Sequence, residues 1–330
     1  MAFSGGRMRI LLELSGEHPA LARAEALAVL EASGNSHRVV AAEERLLAVE
    51  TDADPRWLAR RIALANTVDE LFAKGDLDEV VGAAKGLDFG DRPFRVRVNS
   101  LKGCHNKLEI EKRVGDLVRG TVNLTEPEEE VRLIEGEQHY LALRLAAVDR
   151  RAYEKRKVGD RAFVQPISLH PRLARVLVNL SRIPDGGVLL DPFCGTGGVL
   201  LEAGILGARL LGGDVREDMV DGCRATLKEF GLAADLRATD VAAWEERVDA
   251  VATDPPYGRA TSTKGEPISS LYARAVATAS RVLPPDGHLA MIVPDPSLAV
   301  ATEGMELVEA YPLFVHRSLT RHFVVMRQSG

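Results

Sequence analysis

Cysteine is scarce in this chain. It has three, Cys104, Cys194 and Cys223, far apart and in no CxxC or Cys/His cluster, which argues against a disulfide framework and against a zinc site. No apolar run approaches the ~20 residues of a membrane span, and the opening MAFSGGRMRILLEL lacks the basic-then-apolar plan of a secretory signal. The expected setting is therefore the cytoplasm, away from any membrane. Positive charge is not in excess either. Lys and Arg number 42 against 48 Asp and Glu, a formal net charge of −6, which speaks against a general nucleic-acid coat but leaves room for a local basic patch. Repeats and low-complexity segments are absent. What is there, 330 residues of which 46% are hydrophobic, suffices for two or three domains with a sizeable core.

The two halves have different rhythms. From Gly187 onward an apolar run, a glycine-rich or acidic turn and a helical stretch recur: VLLDPFCGTGG before VLLEAGILGA, RLLGGD before MVDGCRATLKEFG, VDAVATDPPYG before SSLYARAVATASRVL, then GHLAMIVPD. Strands alternating with helices at this spacing predict a mainly parallel α/β sheet covered on both faces. The last stretch, LVEAYPLFVHRSLTRHFVVMRQ, reads as two strands with no helix between them, an antiparallel hairpin at the sheet edge. In the first 160 residues a strand RILLEL, a helix PALARAEALAVLEAS and the strand pair HRVVAAEERLLAVET predict one small α+β unit. A helix near PRWLARRIALAN, a strand RPFRVRVN, a helix NKLEIEKRVGDLVRG and a strand HYLALRLAAV predict another.

VLLDPFCGTGG, Val188 to Gly198, is a strand, a tight loop and a helix start. Gly195, Gly197 and Gly198 allow positive φ or close approach to a ligand, and the helix start offers unpaired N–H groups. The G-x-G-x-x-G dinucleotide fingerprint fails at Leu200. Asp191 suits a ligand's ammonium group and is badly placed against a pyrophosphate, so S-adenosylmethionine is favoured over NAD. Asp214 closes the second strand, ~20 residues downstream, where nucleotide-binding sheets place an acid on ribose hydroxyls. Asp240 ends LRATD, where its carboxylate could accept from an adenine amine while the Val241 N–H reads a ring nitrogen. Each acid alone reads equally as a turn residue or a helix cap; three at successive strand ends read as a site.

VATDPPYGRATST, Val251 to Thr263, runs a strand into an acid, two prolines, a tyrosine and a glycine. The prolines remove two backbone donors, so the strand stops at Asp254 and a rigid rim follows. DPFCGTGG, GGD, TD and DPPYG in this order resemble the class I, Rossmann-like S-adenosylmethionine-dependent methyltransferases of exocyclic amines. The resemblance implies a cofactor site of Asp191, Pro192, Phe193, Gly195, Thr196, Gly197, Asp214, Val215, Asp240 and Val241. It also implies a catalytic segment of Asp254, Pro255, Pro256 and Tyr257. A nucleobase amine is a poor nucleophile because its lone pair is delocalised into the ring. Asp254 and the Pro255 carbonyl would accept from the amine and hold it towards tetrahedral geometry, with Asp254 stabilising the charge that develops. Tyr257 would stack on a base turned out of its helix. Such chemistry needs no metal and no covalent nucleophile, which leaves Cys194 and Cys223 as packing residues.

The first half adds a basic window in which Arg92, Arg95, Arg97, Lys102, Lys107, Lys112, Arg113 and Arg119 outnumber Glu109, Glu111 and Asp116. Alternation puts Arg95 and Arg97 on one strand face, followed by Asn99 and Lys102. The N-terminal half, through RVRVNSLKGCHNKLEIEKRVGDLV and TVNLTEPEEEVRLIEGEQHYLALRL, resembles a ferredoxin-like domain followed by a THUMP domain, an RNA-binding module. RRAYEKRKVGDRAFVQPISLHPRLARVLVNL resembles the segment joining that module to the catalytic domain in the archaeal-type tRNA (guanine-10-N2) methyltransferases. The similarity spans nearly the whole chain. It implies a ferredoxin-like α+β domain over 1–52, a THUMP domain over 53–148, a linker over 149–165 and a Rossmann-like methyltransferase domain over 166–330, with a seven-stranded, mainly parallel sheet and a C-terminal antiparallel hairpin.

It further implies methylation of guanosine N2 in tRNA, with Arg95, Arg97, Asn99, Lys102, Lys107 and Arg151 on the RNA. Phe163, Pro166, Ser168 and His170 would line the cofactor, although a capping role before Pro171 suits His170 equally. Thr261 to Thr263 would form a lip over the base, and Ser318 to Arg321 would lie near the product pocket. Where the family has RPFF and HP, this chain has RAFVQP. The partner that the resemblance implies is tRNA, with a small activator subunit or none. The rivals are a guanine-N2 methyltransferase acting elsewhere on RNA, a DNA amino-methyltransferase, a nicotinamide dehydrogenase and a non-catalytic RNA-binding protein. DNA enzymes would be expected to carry their own target-reading domain, the dehydrogenase lacks its fingerprint, and a non-catalytic protein has no need of every acid the chemistry uses.

Overall fold

The computed structural model describes residues 6–103, 106–157, 159, 168–257, 267–299, 304–316 and 319–330. The chain forms two compact units, Met1–Arg23, Asn35–Arg60 and Leu64–Val148 in one, and Ala24–Gly34, Arg61–Ala63 and Asp149–Gly330 in the other. No helix among the described residues is long and apolar enough to cross a membrane.

Residues up to Val148 contain β1 (Met8–Leu14), α1 (Pro19–Ala32), β2 (His37–Ala42), β3 (Leu46–Thr51), α2 (Pro55–Arg61), β4 (Ala65–Gly75), α3 (Leu77–Ala83), β5 (Asp88–Ser100), α4 (Lys107–Gly115), β6 (Arg119–Val122), β7 (Glu129–Glu135) and β8 (His139–Ala147). Their strands make one eight-stranded sheet in the order β2-β3-β1-β4-β8-β7-β5-β6. It is continuous across residue 52, because β1 pairs antiparallel with β4, Ile10 opposite Glu70. Alternation along β5 sends Phe94, Val96 and Val98 into a core shared with Val131 and Leu133 of β7 and with Val80, Ile110 and Val114 of α3 and α4.

Arg95 and Arg97 take the opposite face, in register with Glu130 and Arg132 of β7. Arg132 is buried there between Glu13 and Asp69, donating to both. Burial pushes the Asp69 carboxyl up to about 6 against the pull of Arg132. Two helices expected from the sequence are present but shorter than their stretches. The helix over PRWLARRIALAN stops at Arg61 and Ala65–Gly75 is a strand, while the helix begun near Asn106 ends at Gly115 and is followed by β6.

Residues from Asp149 onward contain α5 (Arg150–Glu154), α6 (Pro171–Leu180), β9 (Val188–Asp191), α7 (Gly198–Ile205), β10 (Arg209–Asp214), α8 (Glu217–Glu229), β11 (Asp235–Ala238), β12 (Ala250–Thr253), α9 (Ile268–Val282), β13 (His288–Val293), β14 (Met305–His316) and β15 (Leu319–Gln328). The sheet order is β11-β10-β9-β12-β13-β15-β14. The first five of these strands are parallel and β15 pairs antiparallel with both β13 and β14. This is the Rossmann-like sheet with the terminal hairpin that the alternating pattern predicts. Short, almost wholly apolar strands such as AVAT and HLAMIV are what a sheet covered on both faces requires. On α9, Leu271, Tyr272, Ala275, Val276, Ala279 and Val282 are buried at three- and four-residue spacing, the stripe that packs on the sheet.

Candidate active site

The sheet order reverses between β9 and β12: β9 leads outward through β10 to β11, and β12 leads the other way to β13. In open α/β sheets, ligands bind at the carboxyl ends of the strands beside such a switch point. Asp191 ends β9, Asp214 ends β10, Asp240 follows β11 and Asp254 follows β12. Neighbouring strands therefore present four acids in the order Asp240, Asp214, Asp191, Asp254, with the last two flanking the switch point.

Asp191 is buried, and its Oδ1 accepts from the Phe193 amide at 3.1 Å and from the Thr253 hydroxyl at 2.6 Å. Burial pushes its carboxyl up to about 7; Thr253 and Phe193 pull it down, while Asp254 and Asp214 push it up. The loop that follows is closed by two backbone bonds, Cys194 N–H to Gly213 O at 2.7 Å and Gly197 N–H to Cys194 O at 2.8 Å. Gly197 caps α7 with φ at 84°, and a Cβ there would meet Cys223 Sγ at 2.8 Å. Glycine is required on both grounds. Pro192 and Thr196 are buried, and half-buried Phe193 packs on Val241, Leu271 and Ala275. Gly195 also has positive φ. The Ser168 hydroxyl lies 3.1 Å from that of Thr196, which brings Ser168 to the loop after β9. Cys194 and Cys223 are buried, and the Cys194 thiol is pushed up by its hydrogen bond with Cys223 and by burial, as suits packing residues.

Asp214 is half-buried and accepts from the Arg216 amide at 2.9 Å, and burial holds its carboxyl above the usual range. Beyond it Val215 is exposed. Asp240 takes the capping role that its sequence context allows equally. Its Oδ1 caps the turn Val241–Ala243 by accepting from the Ala242 amide at 2.9 Å, and the same oxygen takes the Arg274 guanidinium. The carboxylate expected to accept from an adenine amine is thus already paired.

Half-buried Asp254 accepts at Oδ1 from the Tyr257 hydroxyl. Burial raises its carboxyl to about 6, against the pull of Arg321 and of the Tyr257 bond. The Tyr257 phenol is held well above its ordinary range, first by burial and then by the charge of Asp254. Pro255 is buried, and the Pro256 carbonyl accepts from the buried Tyr272 hydroxyl at 3.1 Å. Acid and ring are side by side, as the DPPYG spacing suggests, but they bond to each other. Thr253, Tyr272 and Arg274 went unread in the sequence. Thr253 alone had a local signal, its place next to Asp254. His170 is a cap, its Nδ1 accepting from the Arg172 amide at 3.2 Å. Cys104, Phe163, Pro166, Thr261 to Thr263 and Ser318 lie outside the described residues.

The basic window is less positive than its residue count. Arg95 donates to Glu130 from a half-buried position, and Arg92, Arg113 and Arg119 pair with Glu129, Asp78 and Asp88. Arg97 and Asn99 are half-buried; Lys102, Lys107 and Arg151 are exposed. The exposed lysines there are Lys102, ahead of α4, and Lys107, its first residue. Among the described residues, no group of three or more His, Cys, Asp or Glu could hold a metal ion.

Residues 159–322 match the model of the UPF0020 family, RMKL-like, methyltransferase domain. The chain is 32% identical over 334 residues to the tRNA (guanine(10)-N2)-dimethyltransferase of Methanothermobacter thermautotrophicus, covering 95% of this chain and 98% of that protein. It is 31% identical to the enzyme of the same name from Pyrococcus abyssi, covering 96% and 98%. The crystal structure of TrmN from Thermus thermophilus is similar with a TM-score of 0.52 at 25% identity, covering 97% of this chain and 99% of that one.

Proposed function

The chain belongs to the family of the tRNA (guanine(10)-N2)-dimethyltransferases, and from that premise we propose that it transfers methyl groups from S-adenosylmethionine to the exocyclic N2 amine of guanosine 10 in tRNA. The observation that carries this reading is the switch point, where Asp191 and Asp254 stand on either side and the Thr253 hydroxyl ties the residue before Asp254 to Asp191.

The donor set fits a cationic cofactor. Burial holds Asp191, Asp214 and Asp254 above the usual carboxylate range, so positive charge arriving among them is stabilised. Asp191 would face the ammonium group and Asp214 the ribose hydroxyls. Phe193, Gly195, Thr196 and Gly197 would form the loop against the ligand, and Val215 and Val241 would flank the base. S-adenosylmethionine supplies the electrophilic methyl group. The chain's own residues prepare the nucleophile. Asp254, ionised at neutral pH, accepts from the guanine amine, and the Pro255 carbonyl accepts from its second hydrogen. Together they hold the nitrogen towards tetrahedral geometry, which takes its lone pair out of conjugation with the ring, and stabilise the charge that develops there. Tyr257 carries the base on its ring.

The chain is read as a cytoplasmic protein whose first 148 residues recognise tRNA, ferredoxin-like over 1–52 and THUMP over 53–148. A linker over 149–165 then leads to the catalytic domain over 166–330. Mass-spectrometric mapping of nucleosides in tRNA treated with the protein tests the assignment, with N2-methylated guanosine at position 10 as the expected product and methylation confined to other positions or to DNA as the refuting one. Asp254→Asn should abolish turnover while leaving affinity for S-adenosylhomocysteine within a few fold. Retained turnover would remove Asp254 from the reaction.

A further inference from the structure

Arg321 lies near the start of β15, opposite Leu313 of β14, and is buried. Its guanidinium stands over the Tyr257 ring, 5.6 Å from the centroid, and the Tyr257 hydroxyl donates to Asp254. A cation from the terminal hairpin, an aromatic ring and the acid of the DPPYG segment thus follow one another in space. We propose that Arg321 is a positioning residue for methyl transfer, covering one face of Tyr257 so that guanine takes the other, and holding through that ring the hydroxyl that orients the Asp254 carboxylate.

This inference rests on the reading of Asp254 and Tyr257 as the base's site. The groups that face Asp254 come from four elements. Arg321 on β15 brings positive charge and Tyr257 on its own loop brings a donor hydroxyl. Tyr272 on α9 and Asp191 on β9 also feel the Asp254 charge. Arg321 favours the ionised form of Asp254, which burial opposes. The folded pKa of about 6 leaves the carboxylate charged at neutral pH, and loss of the cation moves this titration upward. A guanidinium also suits the ring geometrically, because its plane stacks on an aromatic face where an ammonium group cannot.

The test is kcat and KM for a tRNA transcript across pH, together with S-adenosylhomocysteine affinity and melting temperature, for the native protein, Arg321→Gln, Arg321→Lys and Tyr257→Phe. Arg321→Gln should lower kcat at neutral pH on the order of tenfold, move the acid limb of kcat to higher pH and leave cofactor affinity within about twofold. Arg321→Lys should return the acid limb towards its native position while recovering kcat only in part. Tyr257→Phe keeps the ring under the guanidinium and loses the hydroxyl, so it too should move the acid limb upward. An acid limb unmoved in Arg321→Gln, or in Tyr257→Phe should Arg321→Gln fail to fold, overturns the role. So does a fall in cofactor affinity that parallels kcat. A native protein that places no methyl group on guanosine 10 would instead defeat the functional reading beneath it.

Discussion

Replacing Thr253 by valine removes one hydroxyl from the switch point and little else. That hydroxyl is buried and donates to Oδ1 of Asp191 at 2.6 Å. A hydrogen bond to a charged group contributes about 1.5–3 kcal/mol, which is worth about one to two pH units in the titration of the acceptor. Asp191 already titrates at about 7, so in the variant it would hold its proton through neutral pH. The sign follows from linkage. A ligand ammonium group favours the ionised carboxylate, so affinity rises with pH through the titration and falls by up to about tenfold per pH unit below it. Without ligand the direction is opposite. A carboxyl raised in the folded state contributes stability that is present below its unfolded pKa of about 3.9 and is lost as pH rises through about 7.

Calorimetry with S-adenosylhomocysteine, which keeps the ammonium group and lacks the sulfonium charge, isolates this contact. Native affinity should level off above about pH 8 and fall below about pH 7. In Thr253→Val the break should move up by about one to two pH units, lowering affinity at pH 7.5 roughly 4- to 40-fold and restoring it at higher pH. Recovery at high pH separates lost ionisation from a damaged pocket. Native and variant curves that coincide from about pH 6 to about pH 9 would show that Asp191 is not the counter-charge.

Two further substitutions test the loop and the RNA surface. Gly197→Ala forces a side chain into a left-handed backbone with φ at 84° and against Cys223 Sγ at 2.8 Å; it should cost about 2–5 kcal/mol and weaken S-adenosylhomocysteine binding more than about tenfold. Adding Cys223→Ala should recover only the part due to the clash, and full recovery would mean that the backbone conformation is unimportant. Lys102→Ala with Lys107→Ala should flatten the salt dependence of tRNA binding by roughly one unit of slope per lost phosphate contact. Arg95→Ala should chiefly lower the melting temperature, because it removes a partner of the buried Glu130 carboxylate; a steeper loss of tRNA affinity for Arg95→Ala than for the lysine pair would reverse that assignment.

Much of the site could be read before its geometry was known, because its signals are local. The glycine loop declares itself by residues that must take positive φ, and the prolines after Asp254 declare the end of β12. Apolar runs alternating with helical stretches place each acid at the carboxyl end of a strand. In the first unit the same reasoning fails where long-range pairing overrides local pattern. In Ala65–Gly75, Asp69 and Glu70 hide the strand. Asp69 is tolerable inside only because Arg132, far along the chain, meets it there. Arg95 is similar, since alternation puts it on the correct face but only the register of β5 against β7 sets Glu130 beside it.

The sequence by itself determined the fold of the second unit, the order of its acids and the place where β12 ends in the prolines after Asp254, since each follows from backbone freedom and hydrophobic period over a few residues. Only the tertiary structure decided which charges are already paired: Thr253 on Asp191, Arg274 on Asp240, Arg321 over Tyr257. Coulomb energy and hydrogen bonding act across distances of a few ångströms in space, and strands or helices far apart in the chain come within that range only once the sheet has formed.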